Sequence, residues 1–160
     1  MSRSLLAIAI FAVCTVAAFG QQPEAKPTPP ANPKYDAELA KKLGADERGM
    51  RPYVLVILKT GPKRMPEGEE RKAMFAGHFA NMTRLAAEGK LALAGPLDGV
   101  DGWRGLFVFA VETIEEAKKL TETDPVIING EMIAEYHKYY GSAGLMMVNE
   151  IHEKISKQNP

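Results

Sequence analysis

The order of secondary-structure patterns between residues 51 and 141 limits the folds open to this chain more than any other feature. A short apolar run rich in branched side chains, Tyr53–Leu58, predicts a central strand. A long helical pattern, Glu69–Glu88, follows this strand and is stopped by Gly89. Two further strand patterns come next, and after them a helix and a fourth strand. The predicted order is therefore β-α-β-β-α-β.

Turn and capping residues set the bounds of the remaining elements. Gly95-Pro96 ends the second strand, and threonine and glutamate are spaced as a capping box in Thr113–Glu116. Asp124-Pro125 opens a brief helical turn, because aspartate is a favoured N-cap and proline is favoured at the first helical position. After the first helix the predicted elements are strands Leu91–Ala94 and Leu106–Val111, a helix from Thr113 to Glu122, a helical turn from Pro125 to Asn129, a strand Met132–Tyr139 and an amphipathic helix Leu145–Ile155.

With right-handed crossovers, this order gives a four-stranded antiparallel sheet with both helices on one face. The predicted fold class is α+β with ferredoxin-like topology. The opposite sheet face would then be bare and apolar, and such a face on a small sheet rarely stays exposed. We therefore expect a homodimer that forms through the open sheet face.

The first 20 residues predict a cleaved secretory signal. Arg3 supplies a positive charge, Leu5–Phe19 is a nearly unbroken apolar run, and Ala18–Gly20 places small residues before a cut ahead of Gln21. The apolar run is shorter than the roughly 20 residues that a membrane span needs. A cleaved signal is favoured, with an uncleaved anchor as the alternative. We expect a periplasmic or secreted protein without membrane contact once the signal is removed.

Residues 21–50 predict a tether rather than part of the domain. Five prolines in the fourteen residues Gln21–Lys34 preclude a packed element. Tyr35–Leu43 then predicts a short helix that Gly44 ends. The predicted organisation is a signal at 1–20, a tether with a short helix at 21–50, a domain at 51–141, and a C-terminal helix and tail at 142–160.

Composition argues against several classes of partner and site. The chain has 20 basic and 20 acidic residues without a basic cluster, which argues against binding to nucleic acid. Its single cysteine, Cys14, lies in the predicted signal, so the mature chain would have no thiol for a disulfide or a nucleophile. The histidines His78, His137 and His152 lack metal-ligand spacing, and we expect neither a metal nor a cofactor.

His78 is the residue best suited to chemistry. It lies on the same helical face as the apolar Phe75 and Met82, where an imidazole needs a hydrogen-bond partner or must stay neutral. One interpretation is a general acid or base lining a cleft, and the other is a packing histidine at the edge of the core. Gly77 costs a helix about 1 kcal/mol relative to alanine, which is tolerated where something approaches closely.

The other candidate residues lie in loops and at strand ends. Asp124 is placed to orient the His78 imidazole or simply to cap a helix, and the two roles can coexist. Trp103 and Arg104 stand near Gly95-Pro96 at the mouth of a hairpin, which suggests contacts with an aromatic or anionic ligand. A tryptophan in such a place more often covers a core or an interface.

Several short motifs follow one another between Pro52 and Gly141. They are Gly77-His78, Arg84–Leu91, Ala94–Leu97, Thr113–Ala117 and Thr123–Pro125. In this order they resemble the core pattern of YCII-related (YciI-like) proteins, and the signal and tether resemble a secreted bacterial branch of that family. The resemblance implies a dimeric α+β barrel of ferredoxin-like subunits, with a histidine and an aspartate in the active site. These two residues correspond to His78 and Asp124.

Elimination and dehalogenation of small molecules are associated with this family, so the resemblance also implies a reaction class. The resulting hypothesis is an enzyme that transfers a proton on a small organic molecule through His78 and Asp124, in an elimination, a dehalogenation or an isomerisation. Trp103, Arg104, Gly95 and Pro96 are the predicted substrate contacts. The alternative is a non-catalytic periplasmic dimer that binds a small ligand or is structural, with His78 as a packing residue.

Overall fold

The computed structural model describes residues 32–157, and the chain divides into compact units between Tyr35 and Asp36. The second unit contains every helix and strand described below. The predicted signal and nearly all of the proline-rich tether lie outside the described residues. In the described part of the chain, no helix combines the length and apolar character needed to cross a bilayer.

A four-stranded antiparallel sheet lies at the centre of the second unit. Its strands are β1 (Met50–Thr60), β2 (Leu91–Pro96), β3 (Trp103–Phe109) and β4 (Met132–Ser142). They are arranged in the order β2-β3-β1-β4, so β1 pairs with both β3 and β4. This order is the ferredoxin-like topology, and the predicted fold class is confirmed.

Within residues 32–157, five α-helices connect and flank these strands. They are α1 (Ala37–Leu43), α2 (Glu69–Ala87), α3 (Ile114–Thr121), α4 (Pro125–Ile128) and α5 (Val148–Ile155), with 3₁₀ helices at Val100–Gly102 and Ala143–Met147. The predicted capping box is present at the start of α3, where Thr113 Oγ1 accepts from the Glu116 amide and the Glu116 carboxylate accepts from the Thr113 amide. Gly44 ends α1 in the left-handed region, at a φ of 67°. These helix ends were therefore marked in the sequence. The C-terminal helix is an exception, because α5 begins at Val148 rather than at the predicted Leu145, and a 3₁₀ helix takes the residues before it.

Strand ends were less well marked. β1 and β4 pair over their full lengths, from Met50 with Ser142 to Thr60 with Met132, well beyond the apolar run that predicted β1. β3 begins at Trp103 rather than at Leu106. The ladder is made by backbone groups, which extend a strand wherever the partner continues, whatever the side chains are.

The main core lies between the sheet and the helices. Val54, Val56 and Leu58 of β1 point to this side together with Phe107 and Phe109 of β3. The helices contribute Met74 and Leu85 of α2, Ala117 of α3 and Val126 of α4. Alternate residues of β1 thus line one face, as expected for a central strand that is buried on both sides.

The opposite face of the sheet is bare only in part, contrary to the expectation from sequence. Tyr53 and Val108 are buried there, and Leu145 and Met146 of the second 3₁₀ helix pack against them. The chain's own C-terminal segment therefore covers part of this face. Farther along β4, Ile133 is 48% exposed, so an apolar area remains open.

Candidate active site

His78 and Asp124 are brought together although 46 residues separate them in sequence. Nδ1 of His78 lies 2.8 Å from Oδ2 and 3.0 Å from Oδ1 of Asp124. Both side chains are buried, with residue exposures of 7% and 1%. A carboxylate can only accept a hydrogen bond, so Nδ1 carries the hydrogen and the neutral ring has its lone pair at Nε2.

Helix α4 reaches His78 because Gly77 has no side chain. A Cβ at Gly77 would lie 3.0 Å from Cγ of Pro125, the first residue of α4. Asp124 is the N-cap of this helix, and its Oδ1 accepts from the Val126 amide at 3.1 Å. The close approach expected at Gly77 is therefore with a proline ring. Asp124 caps α4 and holds the imidazole at the same time.

The free side of the His78 ring faces a cavity of about 270 Å³. Nε2 forms no hydrogen bond to another described residue. It is not sealed off either, because the buried side-chain nitrogens without a partner in residues 32–157 are Nε of Arg51 and Nε of Arg71. Nε2 is therefore reached from the cavity. The Phe107 ring stacks on the imidazole with the centroids 6.0 Å apart, and Phe75 meets it edge-on at 6.2 Å.

Of the four predicted substrate contacts, three line this cavity. Gly95, Pro96 and Arg104 form part of its wall, with Gly105 beside them. Trp103 does not line it, and its side chain is largely exposed. Contact between Trp103 and a molecule in this cavity is therefore not supported.

A β-bulge explains why Arg104 reaches the cavity. Leu58 pairs with Gly105 and Lys59 pairs with Trp103, so Arg104 is the extra residue between two successive pairs. Strict alternation would turn Arg104 away from the face that carries Gly105, whereas a bulge re-aims the side chains around it. A bulge next to an apolar cavity is a common way to direct one polar side chain into a site.

A second ion pair close to the cavity, between Glu131 and Arg71, was not predicted from the sequence. Glu131 accepts from Nη2 of Arg71 at 2.8 Å and from the Met65 amide at 2.7 Å. Burial by itself would raise the pKa of Glu131, but these hydrogen bonds and the charges of Arg71 and Arg104 outweigh it, so the pKa lies below its ordinary value of 4.5. Arg71 also lies over the ring of Phe75, which lines the cavity.

The sequence contained one usable signal for this pair. Arg71 lies seven residues before His78 on the same helix, and residues two turns apart share a face. Nothing local to Glu131 indicates its partner, because the contact spans 60 residues. Among residues 32–157, no three histidine, aspartate or glutamate side chains come together as a group that could hold a metal ion.

This arrangement has the parts of an acid-base site. The Asp124 carboxylate accepts from Nδ1, which fixes the imidazole tautomer and leaves Nε2 as the nitrogen with the lone pair. Nε2 faces a mostly apolar space, where an electrostatic interaction is stronger than in water. Arg104, which lines the same cavity, carries a positive charge that can interact with an anionic group.

Comparison with known proteins identifies the family. The sequence model of the YCII-related domain matches residues 52–137, more than half of the chain. The chain belongs to the YCII-related family. His78, Arg104 and Asp124 all lie within the matched range, whereas helix α5 lies beyond it.

Two individual proteins are similar to parts of this chain. The uncharacterized protein YjpA of Bacillus subtilis (strain 168) is 34% identical over 55 residues, which are 34% of this chain and 62% of YjpA. The chain thus spans less than two thirds of that relative. The 5-chloro-2-hydroxyhydroquinone dehydrochlorinase (TftG) from Burkholderia phenoliruptrix AC1100, solved with 2,5-dihydroxybenzoquinone, is 22% identical over 51% of this chain and 90% of TftG, with a TM-score of 0.36. At this sequence identity and TM-score, the similarity to TftG indicates neither the fold nor the reaction of our chain.

Proposed function

We propose that this protein is an exported enzyme that transfers a proton on a small organic molecule. The observation that carries the proposal is the orientation of His78, whose Nδ1 is held by Asp124 while Nε2 faces a 270 Å³ cavity. Asp124 would also serve a packing histidine as its hydrogen-bond partner, but a packing role gives no reason for Nε2 to face an open cavity. General acid-base catalysis needs such a pair next to a space for the substrate.

The proposed step is the removal of a proton from a carbon atom of the substrate. Nε2 of His78 takes the proton, and the electron pair of the broken C–H bond forms a carbon–carbon double bond. In an elimination or dehalogenation, the leaving group departs from the adjacent carbon with its own bonding pair, as an anion such as halide. In an isomerisation, an existing double bond of the substrate breaks as the new one forms, and its electron pair takes the proton back from His78 at another carbon of the same molecule. Arg104 would stabilise negative charge that develops during the step.

Substitution of His78 tests this function directly. We expect His78→Ala to lower proton transfer by about 10²- to 10⁴-fold, the usual contribution of a general base. Transfer is measured as deuterium incorporation from D₂O into a panel of enones and as halide release from β-halogenated ketones. His137→Ala is the matched control, because His137 is exposed and does not line the His78 cavity. A folded His78→Ala variant with unchanged exchange, or His78→Leu with full activity, would favour a packing role.

Export and assembly are further parts of the proposal. The predicted signal supports export to the periplasm or the medium, and N-terminal sequencing of the mature protein should begin at Gln21. Exposed Ile133 and Tyr139 on the open part of the sheet support a homodimer, because burying apolar area on both copies stabilises the pair.

A further inference from the structure

A second apolar cavity, of about 220 Å³, lies beside the His78 cavity. It is enclosed by α2, β2 and the C-terminal helix α5. Its walls include Ala86 of α2, Leu91 and Leu93 of β2, and Val148 of α5. We call this space the tail cavity.

The two cavities are successive parts of one groove between α2 and β2. Met82 lines both of them. Along α2, His78 lies one turn before Met82 on the His78 side, and Ala86 lies one turn after it in the tail cavity. Along β2, Ala94 lines the tail cavity and the next residue, Gly95, lines the His78 cavity. The residue that the two linings share is thus a methionine, whose side chain adapts its shape readily.

The outer wall of the tail cavity is held in place by specific contacts. Asn149 Nδ2 of α5 donates to the Leu91 carbonyl at 2.8 Å, on the open edge of β2. Just before α5, Leu145 and Met146 pack on the sheet. The match to the YCII-related family ends at residue 137, so this wall is an addition to the family domain.

We propose that the tail cavity binds the apolar part of a substrate whose reacting group lies at Nε2 of His78. The inference rests on the proposed function and adds a substrate class to it. That class is a small molecule with a polar, reactive head and an unbranched apolar tail of several carbons. The lining is largely apolar, so a hydrocarbon tail gains free energy by leaving water there. Together the two cavities fall within the range of about 300–1,000 Å³ that is usual for small-molecule sites.

The size and the lining of the two cavities favour one molecule that occupies both of them. The His78 cavity by itself, at about 270 Å³, lies just below that range. Thr83, Asn149 and His152 supply the polar groups of the tail cavity, and all three belong to α2 or α5. A hydrocarbon tail would therefore run from the imidazole past Met82 along the apolar β2 wall.

A series of 4-alkylphenols tests the proposal by binding alone. Phenol, 4-ethylphenol, 4-propylphenol and 4-butylphenol are titrated calorimetrically, and the His78 ring resonances are followed by NMR. In the unmodified protein we expect phenol to shift the His78 resonances, and each methylene that enters the tail cavity to tighten the Kd about fourfold.

Variants on opposite walls locate the tail. Ala86→Leu and Val148→Phe fill the tail cavity from α2 and from α5, and either should abolish the gain with chain length while the Kd of phenol changes less than about twofold. Ala80→Leu, on an exposed position of α2 that lines neither cavity, is the control and should behave as the unmodified protein. Circular dichroism identifies any variant that does not fold, and the variant on the other wall then replaces it.

Two results would overturn the tail cavity while leaving the proposed function intact. The first is a Kd independent of chain length when phenol still shifts the His78 resonances. The second is a gain with chain length that persists in both wall variants. Failure of the proposed function is measured separately, as unchanged deuterium exchange in His78→Ala, whereas phenol that leaves the His78 ring unperturbed would contradict access to Nε2 from the cavity. Alkylphenols that bind in that case would occupy an isolated apolar space, which also contradicts a shared site.

Discussion

At the scale of single residues, Asp124 has two roles that are usually played by separate residues. Its carboxylate caps α4 through the Val126 amide and holds Nδ1 of His78 through both oxygens. Both carboxylate oxygens of this buried side chain are hydrogen-bonded, so a small chemical change at Asp124 can leave a buried polar group without its partner. Substitutions that keep one role and remove the other can therefore separate the proposed catalytic effect of Asp124 from its effect on stability.

Asp124→Asn is the substitution that separates them. Asparagine caps a helix about as well as aspartate. The free energy of unfolding should therefore fall less in Asp124→Asn than in Asp124→Ala, which also loses ~1 kcal/mol of capping. Both variants lose the negative charge that stabilises protonated His78, and we expect a fall in kcat of about 10²- to 10⁴-fold. Urea denaturation and the deuterium-exchange assay measure the two effects. An active Asp124→Asn protein would remove Asp124 from the mechanism.

Glu131 gives a prediction about pH. Its folded-state pKa lies below the ordinary value of 4.5, so ionised Glu131 stabilises the fold above that pH, and the contribution is lost as the pH falls through the folded pKa. At pH 7 we expect Glu131→Gln to lower the free energy of unfolding by about 3 kcal/mol, because Arg71 loses its buried partner. The difference from the unmodified protein should shrink as the pH falls below 4.5.

Glu67 provides the matched control for this prediction, because it is the second partner of Arg71 and its side chain is 80% exposed. Exposed ion pairs contribute little, so Glu67→Gln should change stability only slightly at any pH. Urea denaturation at a series of pH values compares the two variants. An equal effect of both substitutions would mean that burial of Glu131 has no energetic consequence.

At the scale of elements, the site depends on how closely α4 packs against α2. Gly77 lies where the two helices meet, and its missing side chain sets their separation. Helix propensity and packing oppose each other here, since alanine favours the helix by about 1 kcal/mol and its Cβ would crowd Pro125. Glycine at position 77 therefore keeps Asp124 beside His78 and makes α2 less stable than alanine would.

Gly77→Ala should therefore affect activity more than stability. We expect a free energy of unfolding within about 1 kcal/mol of the unmodified protein and a clear loss of proton transfer, because α4 must move by a few tenths of an ångström and carries Asp124 with it. Pro125→Ala removes the Cγ atom that the new side chain meets. The double variant should recover activity relative to Gly77→Ala, and simple additivity of the two losses would contradict this explanation.

At the scale of the whole molecule, the C-terminal segment changes both faces of the sheet. Its 3₁₀ helix packs on the face away from α2, and α5 closes the groove at the edge of β2. The open sheet surface is thereby reduced but not removed, since Ile133 and Tyr139 of β4 stay exposed. A dimer, if formed through this face, would be centred on β4 rather than spread over the whole sheet.

Ile133→Lys tests this interface. We expect the unmodified protein to sediment at twice the mass of one chain and Ile133→Lys to sediment as a monomer, because a charge placed in an apolar interface must lose its water. Ile128→Lys is the control, since Ile128 is also exposed but lies on α4, on the other side of the sheet. Sedimentation velocity measures both variants, and a dimer that tolerates Ile133→Lys would place the interface elsewhere.

The sequence by itself determined the order of the elements, the helix caps and the choice of His78 and Asp124 as the central pair. Those features depend on periodicity, on capping at Thr113 and Asp124, and on short motifs, all of which are local. Strand lengths were underestimated, because β1 and β4 extend each other through backbone pairing.

Only the tertiary structure decided which side chains surround the imidazole. The bulge that turns Arg104 into the cavity depends on the register of β3 against β1, and the Glu131–Arg71 pair joins residues 60 positions apart. The tail cavity exists because α5 returns to the edge of β2. Each of these features is set by contacts between distant parts of the chain, and no local pattern encodes them.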